Sequence, residues 1–150
     1  MKFYDYLEEN KDKVIDIYFD MDGVFAEYDI GNFDYNTIRP IKSSIKVIED
    51  LYNKGLNVNI LSICKNNRIV EEKYEWMSKY LPFFSKDKMN FISKEEIQGV
   101  ESNDLKSNFL REKTQPDHIT IIVDDDITVI KKIVKENENV KVFHVISIIE

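Results

Sequence analysis

The sequence has few of the residues that form disulfide frameworks, zinc sites or flexible linkers. Its 150 residues include one cysteine, two histidines, four glycines and three prolines. Because a disulfide needs two cysteines, the single Cys64 excludes an internal bridge and is typical of a reducing compartment. No apolar run approaches the roughly 18 residues that a membrane-spanning helix requires, and segment 1–10 is too acidic and interrupted for a signal peptide. The sequence therefore predicts a cytoplasmic protein that does not associate with membranes.

The composition is that of a folded domain with an excess of negative charge. Apolar residues make up 43% of the chain and charged residues 33%, and the formal net charge is -7. A chain of this length can bury one sizeable core, so we expect residues 1–150 to form a single domain. Negative charge opposes binding to long nucleic acids, whose phosphates are contacted by basic surfaces. A small phosphorylated substrate stays compatible with it, because a metal ion would neutralise the phosphate.

Apolar runs and amphipathic segments alternate along most of the chain. Runs of the strand type occur at 14–19, 56–63, 89–92, 119–123 and 140–145, the last with a continuation through 147–149. Helical periodicity occurs at 40–54, 67–80, 103–113 and 126–136. Strands that alternate with helices form parallel sheets with helices on both faces. We therefore predict an α/β fold, a three-layer Rossmann-like domain with a five-stranded parallel sheet.

The first predicted strand ends in two carboxylates and a glycine, Asp20, Asp22 and Gly23. Side chains two residues apart in a strand point to the same face, so both acids are expected at one spot beyond the strand. Facing carboxylates repel each other unless a cation lies between them or one of them is protonated. The same residues also form ordinary turns, so a functional interpretation depends on a second acidic cluster.

That second cluster follows the strand predicted at 119–123, where Asp124, Asp125 and Asp126 come in succession. The carboxyl ends of neighbouring parallel strands lie side by side, and ligands bind in the crevice between them. Mg2+ prefers oxygen ligands and retains several waters, so two or three of these acids and a substrate phosphate would complete its coordination. The two clusters together predict a Mg2+ site.

Two further polar residues are candidates for phosphate binding. Ser62 stands at the end of the strand predicted at 56–63, and Lys106 lies in the helix predicted at 103–113. A hydroxyl can donate to a phosphate oxygen, and an ammonium group can offset the phosphate charge. Taken alone, each residue is an ordinary turn serine or surface lysine. In combination with the two acidic clusters, however, both residues are candidates for binding a phosphate.

In order and spacing, these residues resemble the four motifs of the haloacid dehalogenase (HAD) superfamily. The matching elements are Asp-x-Asp-Gly at 20–23, Ser62, Lys106 and Asp-Asp at 124–125, and the resemblance covers nearly the whole chain. Segment 19–28, Phe-Asp-Met-Asp-Gly-Val-Phe-Ala-Glu-Tyr, is similar to the opening of the 5'(3')-deoxyribonucleotidase branch. After Ser62 the sequence departs from that branch, which typically has small residues and proline there.

The resemblance implies a Mg2+-dependent phosphomonoester hydrolase, with (deoxy)nucleoside monophosphates as the substrates of the similar branch. Asp20 would be the nucleophile that forms an aspartyl-phosphate, and Asp22 would be the general acid and base. The serine and lysine of the second and third motifs would bind the phosphoryl oxygens. Family members hold Mg2+ with the first aspartate side chain, the main-chain carbonyl of the second aspartate and an acid of the fourth motif. In this sequence the metal ligands would be Asp20, Asp22, Asp124 and Asp125.

Several assignments stay open at the level of sequence. Lys94 is an alternative to Lys106 as the third-motif lysine, and the acid triplet 124–126 does not reveal which two members face the metal. Segment 25–40 has room for a flap only, so we expect no large cap domain. Its aromatic residues either stack on a substrate base or sugar or pack the flap onto the core. These aromatic residues are Phe25, Tyr28, Phe33 and Tyr35.

Other functions fit parts of the pattern. A receiver-type signalling domain also binds Mg2+ with acids after its first strand, but its phosphoacceptor aspartate has no counterpart near Ser62. Two alternatives remain: a catalytically silent domain that binds metal and phosphate, and a phosphatase for sugar phosphates or nucleic-acid ends. The oligomeric state also stays open, and a homodimer would accommodate both the apolar tail 142–149 and an uncapped site.

Overall fold

The computed structural model describes residues 1–149 and has an α/β architecture built on one sheet. Its strands are β1 (Val14–Phe19), β2 (Asn57–Cys64), β3 (Met89–Ser93), β4 (His118–Asp124) and β5 (Val140–His144). All neighbours pair in parallel, and the order across the sheet is β3-β2-β1-β4-β5. The predicted five-stranded parallel sheet is confirmed. The first strand lies at its centre, between β2 and β4.

Helices cover both faces of this sheet. They are α1 (Phe3–Glu9), α2 (Lys42–Asn53), α3 (Asn67–Tyr80), α4 (Ser102–Lys113), α5 (Ile127–Glu136) and α6 (Ile146–Ile149). Along β1, Ile17 and Phe19 pack into one apolar cluster with α1, α2, α3 and α6, whereas Tyr18 packs into a second cluster with α4 and α5. Both faces of the strand are therefore buried, which explains its nearly continuous apolar sequence.

The structure differs from the predicted elements in three details. The strand continuation through 147–149 does not form, because β5 ends at His144 and the following residues form α6, where Ile148 is buried in the core. A short apolar run fits either structure, so periodicity alone does not separate them. The helix predicted at 103–113 begins one residue earlier, at Ser102, after an N-cap at Glu101. The seven-residue α1 has no counterpart among the predicted elements.

The segment between β1 and α2 is irregular and contains no cap domain. Two main-chain hydrogen bonds join its ends, from Ile41 N to Phe25 O at 2.8 Å and from Glu27 N to Arg39 O at 2.9 Å. The intervening residues form a flap next to the carboxyl end of β1. Within residues 1–149, no helix is both long and apolar enough to cross a membrane.

Candidate functional site

The candidate site lies where β1 and β4 end side by side. The amide of Asp20 donates to Val123 O at 3.0 Å, so the pairing of the two strands continues into the acidic residues. As a result, carboxylate oxygens of Asp20, Asp124 and Asp125 all lie within 4.8 Å of one another. The structure thus brings together the two acidic strand ends, as the parallel arrangement predicts.

A lysine from α4 reaches into this acidic cluster. Lys106 Nζ lies 2.8 Å from Asp124 Oδ2 and 3.1 Å from Asp20 Oδ1, and all three side chains are buried. Lys94, the alternative third-motif lysine, is exposed just after β3. Of the two candidates, the structure places Lys106 at the acids.

The acids outnumber the lysine, and the cluster carries surplus negative charge. Burial, with the neighbouring carboxylates Asp124 and Asp22, raises the pKa of Asp20 to about 7 against the opposing effect of Lys106. Burial and Asp124 also raise the pKa of Asp125. Burial disfavours the ammonium form of Lys106, but its two carboxylate partners prevail and raise its pKa. Three hard oxygen donors with uncompensated charge fit a divalent cation such as Mg2+.

The three consecutive acids after β4 have different surroundings. Asp124 is fully buried against the site lysine, whereas Asp126 caps α5 by accepting a hydrogen bond from Thr128 N at 2.8 Å. Asp125 lies against Gly23, where an added Cβ would overlap the carboxylate of Asp125. The structure therefore directs Asp124 and Asp125 toward the cluster and gives Asp126 a structural contact, a choice that the sequence leaves open.

Both histidines lie outside the acidic cluster. His144 Nε2 is 3.1 Å from the main-chain oxygen of Asp125 and supports the loop after β4. His118 Nδ1 is 2.8 Å from Asp16 Oδ2, at the opposite end of β1 from Asp20. In the described part of the chain, the only cluster of potential metal ligands consists of carboxylates.

The remaining predicted residues, Asp22 and Ser62, meet a second lysine for which the sequence analysis proposes no role. Lys73 of α3 is 1% exposed, and its Nζ lies 2.7 Å from Ser62 Oγ and 2.9 Å from Asp22 Oδ2. The carboxylate of Asp22 is not part of the described metal-ligand cluster. The role that the resemblance implies for Asp22 at the metal uses its main-chain carbonyl, so this side-chain position does not conflict with it.

The predicted site residues line one cavity of about 300 Å³ at the carboxyl edge of the sheet. Its walls include Asp20, Asp22, Ser62, Lys106, Asp124 and Asp125. Tyr28 of the flap and Asn103 of α4 also line it. An entering phosphate would therefore meet carboxylates, a hydroxyl and an ammonium group in one space.

The flap aromatics fall into two groups. Phe25 and Tyr35 are buried, so their rings pack the flap onto the core. Tyr28 and Phe33 are 67% and 52% exposed. Only this second pair is available for contact with a substrate, and Tyr28 is the member that lines the cavity.

Comparisons with known proteins show that the fold that carries this site occurs in other solved structures. No protein-family model matches the chain, and no curated protein matches it. Among solved structures, a chain of the Pnkp1/Rnl/Hen1 complex is similar with a TM-score of 0.65 and 14% identity, over 88% of this chain and 46% of that one. The chain thus spans less than half of that similar protein.

Two further structures match over most of both chains. The HAD domain of the effector protein Lem4 from Legionella pneumophila has a TM-score of 0.54 and 12% identity, with 88% of this chain and 85% of that one covered. D,D-heptose 1.7-bisphosphate phosphatase from B. bronchiseptica, complexed with magnesium and phosphate, has a TM-score of 0.57 and 10% identity, with 86% and 91% covered. The chain therefore has the α/β fold of the HAD domain of Lem4 and of the heptose bisphosphate phosphatase.

Proposed function

We propose that this protein is a Mg2+-dependent phosphomonoester hydrolase that works through an aspartyl-phosphate. The observation that carries the proposal is the position of Asp20, 3.1 Å from Lys106 and in one carboxylate cluster with Asp124 and Asp125, in a cavity that also contains Ser62. A buried carboxylate, a metal-type acid cluster and two phosphate-binding groups are the parts that phosphoryl transfer to a carboxylate requires. The fold shared with HAD-domain phosphatases supports the same conclusion.

The metal would be held by the side chains of Asp20, Asp124 and Asp125, with the main-chain carbonyl of Asp22 implied by the resemblance. A bound Mg2+ would supply positive charge that offsets the charge of the phosphoryl group and of the carboxylates around it. Lys106 donates a hydrogen bond to Asp124 and forms an ion pair with Asp20. An ammonium group has three N–H donors, so Lys106 would also offer one to a phosphoryl oxygen that enters the cavity.

In the first half of the proposed reaction, a carboxylate oxygen of Asp20 attacks phosphorus and the bond from phosphorus to the leaving oxygen breaks. The carboxyl group of Asp22 gives its proton to the leaving alkoxide. In the second half, water attacks the phosphorus of the aspartyl-phosphate and its proton passes to the Asp22 carboxylate. The bond from phosphorus to the Asp20 oxygen breaks, inorganic phosphate leaves, and the Asp20 carboxylate and protonated Asp22 are regenerated. The sum of the two halves is hydrolysis of one phosphomonoester by one water.

We place (deoxy)nucleoside monophosphates first among the candidate substrates. This choice rests on the similarity of segment 19–28 to the deoxyribonucleotidase opening, and the exposed ring of Tyr28 at the cavity offers a surface for a base. Sugar phosphates and nucleic-acid ends are the alternatives. One similar protein is a heptose bisphosphate phosphatase, and another belongs to an RNA repair complex.

The deciding experiment is phosphate release from a panel of substrates with Mg2+ and with a chelator. The panel contains nucleoside monophosphates, sugar phosphates, a 3'-phosphorylated oligonucleotide and p-nitrophenyl phosphate. We expect turnover with Mg2+ and none with the chelator, and the preferred substrate identifies the branch. Mg2+ binding in calorimetry without turnover of any substrate would instead favour a silent metal-binding domain.

Replacement of Gly23 by alanine tests the metal site from outside the ligand set. Gly23 has φ +82, and a Cβ there would overlap the carboxylate of Asp125. We expect Gly23→Ala to displace Asp125 and to weaken Mg2+ binding by about 10- to 100-fold, the range seen for residues that orient metal ligands. Isothermal titration calorimetry with Mg2+ measures the change.

The matched control for this variant is Gly55→Ala. Gly55 has φ +83 but nothing within 4 Å of an added Cβ, so it shares the backbone strain and lacks the clash. Both variants should lose roughly 1–2 kcal/mol of unfolding free energy from the left-handed backbone, and only Gly23→Ala should lose Mg2+ affinity. Equal Mg2+ affinities in the two variants would show that Asp125 is not a ligand.

A further inference from the structure

Helix α3 carries a lysine on its buried face. Lys73 is 1% exposed and lies on the same side of the helix as the buried Ile69 and Met77, one turn away in each direction. An ammonium group removed from water is costly unless charged or polar groups surround it. Its two bonded neighbours are Ser62 and Asp22, both walls of the catalytic cavity.

The bond to Ser62 has a fixed direction. A lysine ammonium only donates hydrogen bonds, so Ser62 Oγ is the acceptor in the 2.7 Å contact with Lys73 Nζ. The hydroxyl hydrogen of Ser62 is therefore left to donate elsewhere. Because Ser62 lines the cavity, that hydrogen is available to an oxygen of an entering phosphoryl group.

The carboxylate of Asp22 is held from two sides. Lys73 donates to Oδ2 at 2.9 Å, and the hydroxyl of Tyr35 donates to Oδ1 at 2.8 Å. Because an ionised carboxylate only accepts hydrogen bonds, the Tyr35 hydroxyl is the donor in this contact. Each oxygen of Asp22 keeps a second lone pair, and the plane of the carboxyl group is fixed by its two donors.

The two buried lysines contact different residues of the site. Lys106 pairs with the proposed nucleophile Asp20 and with Asp124, whereas Lys73 bonds the proposed acid and base Asp22 and the phosphate-binding Ser62. Tyr35 adds a donor on the Asp22 side, and Lys73 Nζ lies 5.4 Å from the centroid of its ring. Lys73 and Tyr35 therefore contact each other and both bind the Asp22 carboxylate.

We propose that Lys73 and Tyr35 are positioning residues that orient the Asp22 carboxyl group for proton transfer, and that Lys73 also aims the Ser62 hydroxyl at the phosphoryl group. The proposal rests on the phosphatase function proposed above. Neither residue belongs to the four motifs on which that function is based.

The two contacts have separate kinetic consequences. An alkoxide leaving group needs a proton from Asp22, whereas p-nitrophenolate leaves readily without one. A misoriented Asp22 therefore lowers kcat for an alkyl phosphate much more than kcat for p-nitrophenyl phosphate. A misoriented Ser62 weakens the binding of phosphate itself, which inorganic phosphate reports as a competitive inhibitor. A purely structural defect would lower kcat for both substrates in the same proportion.

The experiment compares kcat for β-glycerophosphate and p-nitrophenyl phosphate, with the inhibition constant of inorganic phosphate, in the wild type and three site variants. For Lys73→Met we expect the ratio of the two kcat values to fall by about 100-fold, within the range for general acid catalysis. Its phosphate inhibition constant should rise about 10-fold, as for the loss of one oriented hydrogen bond. Lys73→Arg, which keeps charge and donors, should recover much of both.

Tyr35→Phe separates the two contacts and removes only a hydroxyl, so it protects the test if Lys73→Met does not fold. It should lower the kcat ratio about 10-fold and leave the phosphate inhibition constant unchanged, because Tyr35 bonds Asp22 and not Ser62. The matched control is Met77→Ala, a buried residue one turn further along α3 with no place in the site. It should lower the stability without changing the kcat ratio.

The possible failures are distinguishable. An active wild type with the same kcat ratio in Tyr35→Phe and in the folded Lys73 variants would overturn the positioning role and leave the proposed function intact. A ratio that falls equally in Met77→Ala would also overturn it, because the effect would then come from helix packing. A wild type that hydrolyses neither these two substrates nor any other member of the substrate panel would overturn the proposed function and the positioning role with it.

Discussion

Replacement of Asp20 by asparagine is expected to lower phosphatase turnover by roughly 10⁴-fold or more, the scale of losing a catalytic nucleophile. Asparagine has nearly the same shape but its amide does not attack phosphorus to form the acyl-phosphate bond. It also removes a charged ligand from the Asp20, Asp124 and Asp125 cluster. Phosphate release with Mg2+ at neutral pH measures the loss.

The same variant is expected to unfold at a higher temperature than the wild type in metal-free buffer. In the folded state, burial and the neighbouring acids raise the pKa of Asp20 to about 7, whereas an unfolded aspartate titrates near ~4. Ionisation of Asp20 therefore costs stability that develops as the pH rises from ~4 to about 7 and is complete above that range. Asparagine avoids this cost, and each kcal/mol recovered raises the melting temperature by about 2–4 °C.

Asp16→Asn is the matched control for both effects. Asp16 lies in β1, the strand that leads to Asp20, and is also buried. Its carboxylate contacts Asn57 and His118 at the other end of the strand. Asp16→Asn should keep the turnover of the wild type. Its melting temperature should not rise above that of the wild type as the pH increases. A more stable Asp20→Asn variant that retained turnover would contradict the nucleophile assignment, and a less stable one would contradict the surplus charge.

The strands and the convergence of their acids were predictable because they follow from local sequence. An apolar run that ends in carboxylates marks both the strand and the edge at which it stops, and parallel pairing then brings Asp20 and Asp124 together. Helix α6 was not predicted, because its four residues, three of them isoleucine, carry too little periodicity to separate a helix from a strand. The sequence therefore predicted the sheet better than the structure of the last residues of the chain.

Within the site, the sequence could not predict contacts that depend on the rotation of a helix. The signal for Lys73 was present, because a lysine between Ile69 and Met77 at four-residue spacing interrupts an apolar face. The contact of its Nζ with Ser62 and Asp22 depends on how α3 packs on the sheet, which no local pattern gives. The capping role of Asp126 could have been predicted from the sequence, since an aspartate just before a helix is a common N-cap.

Replacement of Lys106 by methionine is expected to change stability in the opposite direction from Asp20→Asn and to cause a smaller loss of turnover. Lys106 Nζ is the cation that contacts both Asp20 and Asp124, and its side chain is 7% exposed. Removing one member of a buried ion pair costs about 3–5 kcal/mol, because the remaining charges stay buried without compensation. Turnover should fall about 10²- to 10³-fold, as for the loss of one electrostatic contact to the transition state.

Added Mg2+ should stabilise Lys106→Met more than it stabilises the wild type, since the metal would replace positive charge that the variant lacks. Thermal unfolding with and without Mg2+ measures this difference, and Lys132→Met is the control. Lys132 pairs with Asp104 and Glu136 at the surface, where solvent screens ion pairs, so its loss should change neither stability nor turnover measurably. Asp20→Asn removes a negative charge from the cluster, whereas Lys106→Met removes a positive one. If both variants shifted the melting temperature in the same direction from the wild type, that result would contradict an excess of buried negative charge. Opposite shifts, each reduced by Mg2+, would identify that excess as the feature that prepares the site for a divalent cation.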